Sequence, residues 1–245
     1  MYKYCIFDLY GTLVDIRTDE EQDFVWEKLA LFYGYYGAHY KPSELKAAYK
    51  RLTQEAPHLG NEGFSRNINH EAFPEIQIED VFLSLFKEKS VEADKTLAVH
   101  AGQFLRVLST EYVRLYDGTE EMLRSLKAMG KTLILLSNAQ RIFTEYEVKA
   151  LGILELFDKV FISSDYGVKK PDIRFYEIML DQCQIPVNEG IMVGNDGICD
   201  VQGAKAAGLA TLYIYSNLSP KEEKPEADFI VDPMDMKAVQ RILEG

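Results

Sequence analysis

The sequence predicts an α/β fold, a Rossmann-like parallel-sheet core with an all-helical cap inserted after the first strand. Three observations carry that prediction. Short apolar runs alternate with helical periodicity from residue 119 to residue 231. One further run, Tyr4 to Phe7, stands alone near the N-terminus, and a long stretch of purely helical character separates it from the rest. Strands joined through helices of this length form parallel sheets covered on both faces. The expected division is therefore a core of residues 1–15 and 116–245 and a helical cap of residues 16–115.

The first run is short, apolar and rich in strand formers, and it stops at Asp8 with Gly11 and Thr12 just beyond, as a buried strand does. From Thr18 to about Val113 the apolar residues recur at helical spacing: Phe24, Val25, Leu29 and Phe32, then Leu45, Ala48, Tyr49 and Leu52. Val81, Leu85, Leu97, Phe104 and Leu108 continue the pattern, and residues 57–74 form a looser link. The aromatic run Tyr33, Tyr35, Tyr36 and Tyr40 reads as packing, since aromatic rings dominate cores.

After Tyr116-Asp117-Gly118 the alternation begins. A helix over residues 119–129 is stopped by Gly130, and a buried strand over residues 132–136 ends at Ser137-Asn138. A helix is expected over residues 141–150, a strand over 160–162, and a helix over 173–183 after Lys169-Lys170-Pro171. A strand over 191–193 leads to Gly194-Asn195-Asp196 and a short helix ending at Gly208. Strands over 209–215 and 229–231 complete the sheet, and Lys221-Glu222-Glu223-Lys224 between them is a solvated loop.

Composition narrows the function. The 245 residues hold 39 acids against 27 bases, a net charge of -12. Nucleic acid is excluded as a partner because no Lys and Arg cluster is present to hold phosphate backbones. Cys5, Cys183 and Cys199 are few, odd in number and far apart, the pattern of reduced thiols. With no leader-like segment before the first strand and no apolar run approaching ~20 residues, no membrane partner and a cytoplasmic location are expected. His39, His58, His70 and His100 lack metal-ligand spacing. A monomer or homodimer is expected.

Chemistry-bearing residues follow the strands: Asp8 after the first, Ser137 and Asn138 after the second, Lys170 past the third, Asp196 and Asp200 after the fourth. In an open parallel sheet these ends share one edge, where ligands bind. The segment Asp8-Leu9-Tyr10-Gly11-Thr12-Leu13-Val14-Asp15 resembles the first motif of the haloacid dehalogenase-like hydrolases. Leu136-Ser137-Asn138, Gly167-Val168-Lys169-Lys170-Pro171-Asp172 and Gly194-Asn195-Asp196-Gly197-Ile198-Cys199-Asp200 match its later motifs in order.

The resemblance implies Asp8 as nucleophile and Lys170, rather than Lys169, as the cation that offsets its charge. It implies Ser137 and Asn138, with Gly11 and Thr12, as binders of substrate oxygens, and a magnesium ion held by Asp8, the Tyr10 carbonyl and Asp196. Asp200 is expected to support that ion or to cap a helix. Arg17, leading into the helical insert, is a candidate for reading the substrate, and the insert would act as a lid. One position departs from the phosphatases that the sequence resembles: Tyr10 stands where they carry an acid-base aspartate, and a phenol is a poor proton shuttle near neutrality. A magnesium-dependent phosphate monoester hydrolase acting on a small phosphorylated metabolite is the first expectation. A metal-independent 2-haloacid dehalogenase, in which halide leaves without a proton, is the second. A non-catalytic phosphate-binding relative is the third. Tyr176 fits either enzyme class.

Overall fold

A computed structural model describes residues 2–59, 73, 75–221 and 225–245. His70, most of the expected link and Glu222 to Lys224 lie outside that set, as does the side chain of His58. The strands are β1 (Tyr4–Phe7), β2 (Val14–Thr18), β3 (Thr110–Leu115), β4 (Thr132–Ser137), β5 (Lys159–Ile162), β6 (Gly190–Gly194), β7 (Ala210–Ile214) and β8 (Phe229–Val231). Six of them form one parallel sheet in the order β5-β4-β1-β6-β7-β8. The helices are α1 (Asp23–Tyr35), α2 (Pro42–Leu59), α3 (Ile78–Glu88), α4 (Lys95–Ser109), α5 (Thr119–Ala128), α6 (Arg141–Ala150), α7 (Ile173–Cys183), α8 (Gly203–Ala206) and α9 (Met236–Glu244).

Side chains alternate across a strand, so each sheet face has its own core. Cys5, Phe7, Leu133, Leu135, Ile191 and Val193 pack with α5 and α9 through Met122, Leu126, Val239 and Leu243. Ile6, Ile134, Leu136 and Met192 pack on the opposite face with Phe175, Tyr176 and Met179 of α7. Both faces are dry, which is why these strands read as continuous apolar runs. β1 lies between β4 and β6, with Phe7 level with Leu135 and Val193. The residues that follow all three strands consequently emerge at one edge.

Helices α1 to α4 form a third core around Val25, Leu29, Tyr33, Phe82, Phe86, Ala98 and Leu105. The Tyr33 hydroxyl donates to the Phe82 carbonyl at 2.9 Å and the Tyr40 hydroxyl to that of Leu85 at 2.7 Å, so these two rings do pack. Tyr35, by contrast, is 85% exposed.

Two expectations need correction. The stretch from Thr18 to Val113 is not wholly helical at its ends, because β2 and β3 pair antiparallel into a ribbon joining the insert to the core. Their partners are about a hundred residues apart in sequence, and local periodicity cannot register such a pair. Helix α9 was not anticipated; Asp235 caps it by accepting from the Lys237 amide, and Met236, Val239 and Leu243 bury its inner face.

Candidate active site

Asp8 leaves β1 with its amide bonded to the Val193 carbonyl at 2.9 Å, which anchors it between the two neighbouring strands. Its Oδ1 accepts from Lys170 Nζ at 2.8 Å and its Oδ2 from the Thr12 hydroxyl at 3.2 Å. Thr12 also reaches Asn195 Oδ1 at 3.2 Å, and Gly11, at φ +85°, turns the chain against that asparagine; a Cβ there would lie 2.3 Å from Asn195 Nδ2. Only glycine adopts this turn without strain or collision.

Lys170 is buried and also donates to Asp200 Oδ1 at 2.7 Å. Burial works against its charge, but Asp200 and Asp8 outweigh it and hold the ammonium above its ordinary pKa. Burial pushes Asp200 up to about 7, with Lys170 opposing and Asp8 reinforcing the shift. One lysine thus faces two buried carboxyl groups.

Asn138 is committed to the backbone of Lys170: its Oδ1 accepts from Lys170 N and its Nδ2 donates to Lys170 O, both at 2.8 Å. It therefore positions the lysine. Ser137 Oγ, buried at the end of β4, has no hydrogen-bond partner among the described residues. Buried hydroxyls are almost always paired, so this one is available to a substrate oxygen.

Asp196, not Asp200, caps the turn over Gly197–Gln202, its Oδ1 accepting from the Ile198 and Cys199 amides at 2.8 and 2.7 Å. The capping expected of Asp200 is corrected accordingly, because its Oδ2 instead receives the Asp196 amide at 3.0 Å while Oδ1 serves Lys170. Tyr176 is buried and donates to the Cys199 carbonyl, bracing the same turn.

Arg17 does not join this cluster. Its side chain, 66% exposed, pairs across the ribbon with Glu111 at 3.0 Å, which corrects its assignment as a substrate reader. Lys169 is half-buried, its amide bonded to the Phe73 carbonyl at 3.2 Å. Tyr10 points its hydroxyl at Glu147 Oε2 and lies 3.1 Å from Thr144 Oγ1. Burial, reinforced by the Glu147 charge and opposed by Arg106, raises its pKa further above the ordinary phenol range. Glu147, Thr144, Arg106 and Asn195 are the site neighbours that the sequence did not single out. Asn195 sat within a quoted motif, whereas the others carry no local signal.

Among the described residues no three His, Cys, Asp or Glu side chains form a ready-made metal cage. Magnesium does not require one: it binds one or two carboxylates and keeps water and substrate oxygens. The hard oxygens of Asp8, Asp196 and the Tyr10 carbonyl, beside an acid surplus around Lys170, fit that chemistry.

No helix among the described residues is long and apolar enough to cross a membrane. The chain resembles a phosphoserine phosphatase of Thermus thermophilus, 25% identical over 204 residues, 77% of this chain and 81% of that one. It is 26% identical to a phosphoglycolate phosphatase of Pseudomonas syringae over 239 residues, 94% of this chain and 76% of the relative. Among solved structures, a 2-haloacid dehalogenase from Pseudomonas syringae has the same fold, with a TM-score of 0.65, 19% identity and coverage of 100% and 99% of the two chains. The family model described as haloacid dehalogenase-like hydrolase matches residues 2–208. With the strand that ends at Asp8, the lysine and the acidic turn meeting at one sheet edge, the chain belongs to the haloacid dehalogenase-like hydrolases.

Proposed function

We propose that the chain is a magnesium-dependent phosphate monoester hydrolase acting on a small phosphorylated metabolite through an aspartyl-phosphate on Asp8. Residues 1–15 and 116–245 are taken as the hydrolase core and 16–115 as its cap. The observation that carries the reading is the acidic edge: Asp8 and Asp200 both bond Lys170, and Asp200 also accepts the Asp196 amide, which sets a third carboxyl group on the adjoining turn; these are hard oxygens of the kind a divalent cation takes. Two of the relatives, named for phosphoserine and phosphoglycolate, are phosphatases by name.

Asp8 Oδ1 is held by Lys170, which leaves Oδ2, touched by the Thr12 hydroxyl, as the attacking atom. It forms a bond to phosphorus as the ester oxygen departs, and water then releases phosphate and regenerates the carboxylate. Lys170 and the Ser137 hydroxyl offset negative charge on the transferring group. Magnesium, when bound, adds Lewis-acid neutralisation of phosphoryl oxygens. Asn138 keeps Lys170 in register with Asp8, and Tyr10, tied to Glu147, leaves the site without a carboxyl acid. Acyl or activated aryl phosphates, whose leaving groups need no proton, are the best substrates for such a site.

Dehalogenation is the second reading, and Tyr10 is what favours it, since halide departs unprotonated. The test is release of inorganic phosphate from a panel of phosphate esters with magnesium and with a chelator, alongside halide release from 2-haloacids. Phosphate release that needs magnesium and vanishes in Asp8→Asn is expected. Halide release indifferent to chelator moves the assignment to the dehalogenase; tight phosphate binding with no turnover of either panel leaves a phosphate-binding relative.

A further inference from the structure

Helix α6 leaves the strand that ends in Ser137 and carries Gln140 at its N-cap, then Thr144 and Glu147. Steps of four and three residues place these side chains along one helix face. All three are engaged by other parts of the chain. Gln140 Oε1 accepts from the Ile78 amide at 2.9 Å, and its Nε2 donates to the Ile76 carbonyl at 3.0 Å and to Glu75 Oε1 at 3.2 Å. Glu75 is fastened further, accepting from Ser163 Oγ at 2.7 Å and donating its amide to the Gly167 carbonyl at 3.1 Å.

At the other end, Glu147 takes both arms of Arg106 from α4, Nε to Oε1 at 2.6 Å and Nη2 to Oε2 at 3.2 Å, and receives the Tyr10 hydroxyl as well. The guanidinium lies over the rings of Tyr10 and Phe143, at 5.8 and 5.3 Å from their centroids. Between the two points Ile142 is buried in the core of the insert, and its carbonyl accepts from Gln103 Nε2 at 3.1 Å. The insert is thus seated on α6, one turn beyond Ser137 and Asn138. Both of its ends leave through the β2–β3 ribbon.

We infer that Gln140 and Glu147 form a two-point latch that holds the helical insert over the carboxyl edge of the sheet, and that Glu147 positions Tyr10 beside the nucleophile while Arg106 is docked. The seam is held at both ends by polar contacts, and its Arg106–Glu147 pair is largely buried; parting the two elements returns both partners to water together and leaves neither group buried and unpaired. Undocking removes Arg106 from Glu147 and Ile78 from Gln140 together. Tyr10 then loses the guanidinium that fills the space over its ring. Tyr10 lies two residues beyond Asp8, so docking of the insert sets affinity through α6.

The positioning half of this inference rests on Asp8 being the nucleophile of a phosphatase; the latch itself does not. Hydrogen exchange on the full chain, read in wild type, Gln140→Ala, Glu147→Gln and Arg106→Lys, separates the two. The Ile78 amide is expected to exchange about tenfold faster in Gln140→Ala, and the C-terminal half of α4 about tenfold faster in Glu147→Gln, with β1 and β4 unchanged. With p-nitrophenyl phosphate and magnesium, Glu147→Gln is expected to raise KM more than it lowers kcat, because affinity falls with the docked fraction. Arg106→Ala is expected to raise KM likewise, and Arg106→Lys, which keeps the charge, to recover part of that loss.

Unchanged exchange at both points overturns the latch. A fall in kcat at constant KM in Glu147→Gln overturns the positioning role in favour of a direct part in chemistry. Should wild type turn over no phosphate ester, the phosphatase reading fails while exchange still decides the latch. If β1 and β4 exchange faster in Glu147→Gln, the fold has been damaged, and Arg106→Lys carries the test in its place.

Discussion

Ser137 and Asn138 adjoin in sequence and do different work. Asn138 spends its amide on the two backbone groups of Lys170, while the neighbouring hydroxyl finds no partner among the described residues. Removing an unpaired buried polar atom is close to neutral for a fold, whereas removing a substrate contact is not. Ser137→Ala is therefore expected to melt at or slightly above wild type and to bind inorganic phosphate about tenfold more weakly, as read by calorimetric titration. A destabilised variant with unaltered phosphate affinity would make the hydroxyl structural. Asp8 was legible because it stands directly at a strand end, and Lys170 because the resemblance sets the lysine directly before the proline. The roles of Asn138 and Asp196 were not, since a capping or backbone-bracing side chain looks the same in sequence as one aimed at a ligand. Glu147 and Arg106 were invisible for another reason: Tyr10 meets Glu147 across 137 residues, and no local pattern marks such a pair.

Each element brings its side chain to the edge only if its neighbours leave room. At the end of β6, a Cβ on Gly194 would lie 2.2 Å from the Asp200 carboxyl carbon. Gly194→Ala must therefore push Asp200 off Lys170. The expected cost is about 1–3 kcal/mol in denaturant unfolding, accompanied by loss of turnover. Retained activity at full stability would show that the turn after β6 yields without moving Asp200. The same turn was plain in the sequence as a glycine-rich break, and the apolar runs marked every strand of the main sheet, because both sheet faces are dry. The ribbon escaped because β2 and β3 are half-exposed and find each other only in three dimensions. Thr110 to Leu115 follows α4 without a break and reads locally as its tail.

The whole molecule carries a net charge of -12, and its candidate site adds carboxylates beyond what one lysine balances. A cation that binds only the folded state stabilises it by about 2.7 kcal/mol at a hundredfold excess over Kd. Saturating magnesium is thus expected to raise the melting temperature by about 2–4 °C for each kcal/mol of that stabilisation. The rise should shrink in Asp196→Asn, as followed by scanning calorimetry; no rise in wild type at any magnesium concentration removes the metal from the assignment. The sheet order also bears on how the chain is made. β1 is synthesised first yet pairs with residues 132–135 on one side and 190–193 on the other. On the ribosome, the strand bearing Asp8 must wait with both edges bare while five helices, α1 to α5, emerge ahead of its first partner β4. The nascent chain is therefore most exposed to aggregation between the appearance of α1 and that of β6, the interval in which a chaperone would be expected to bind it.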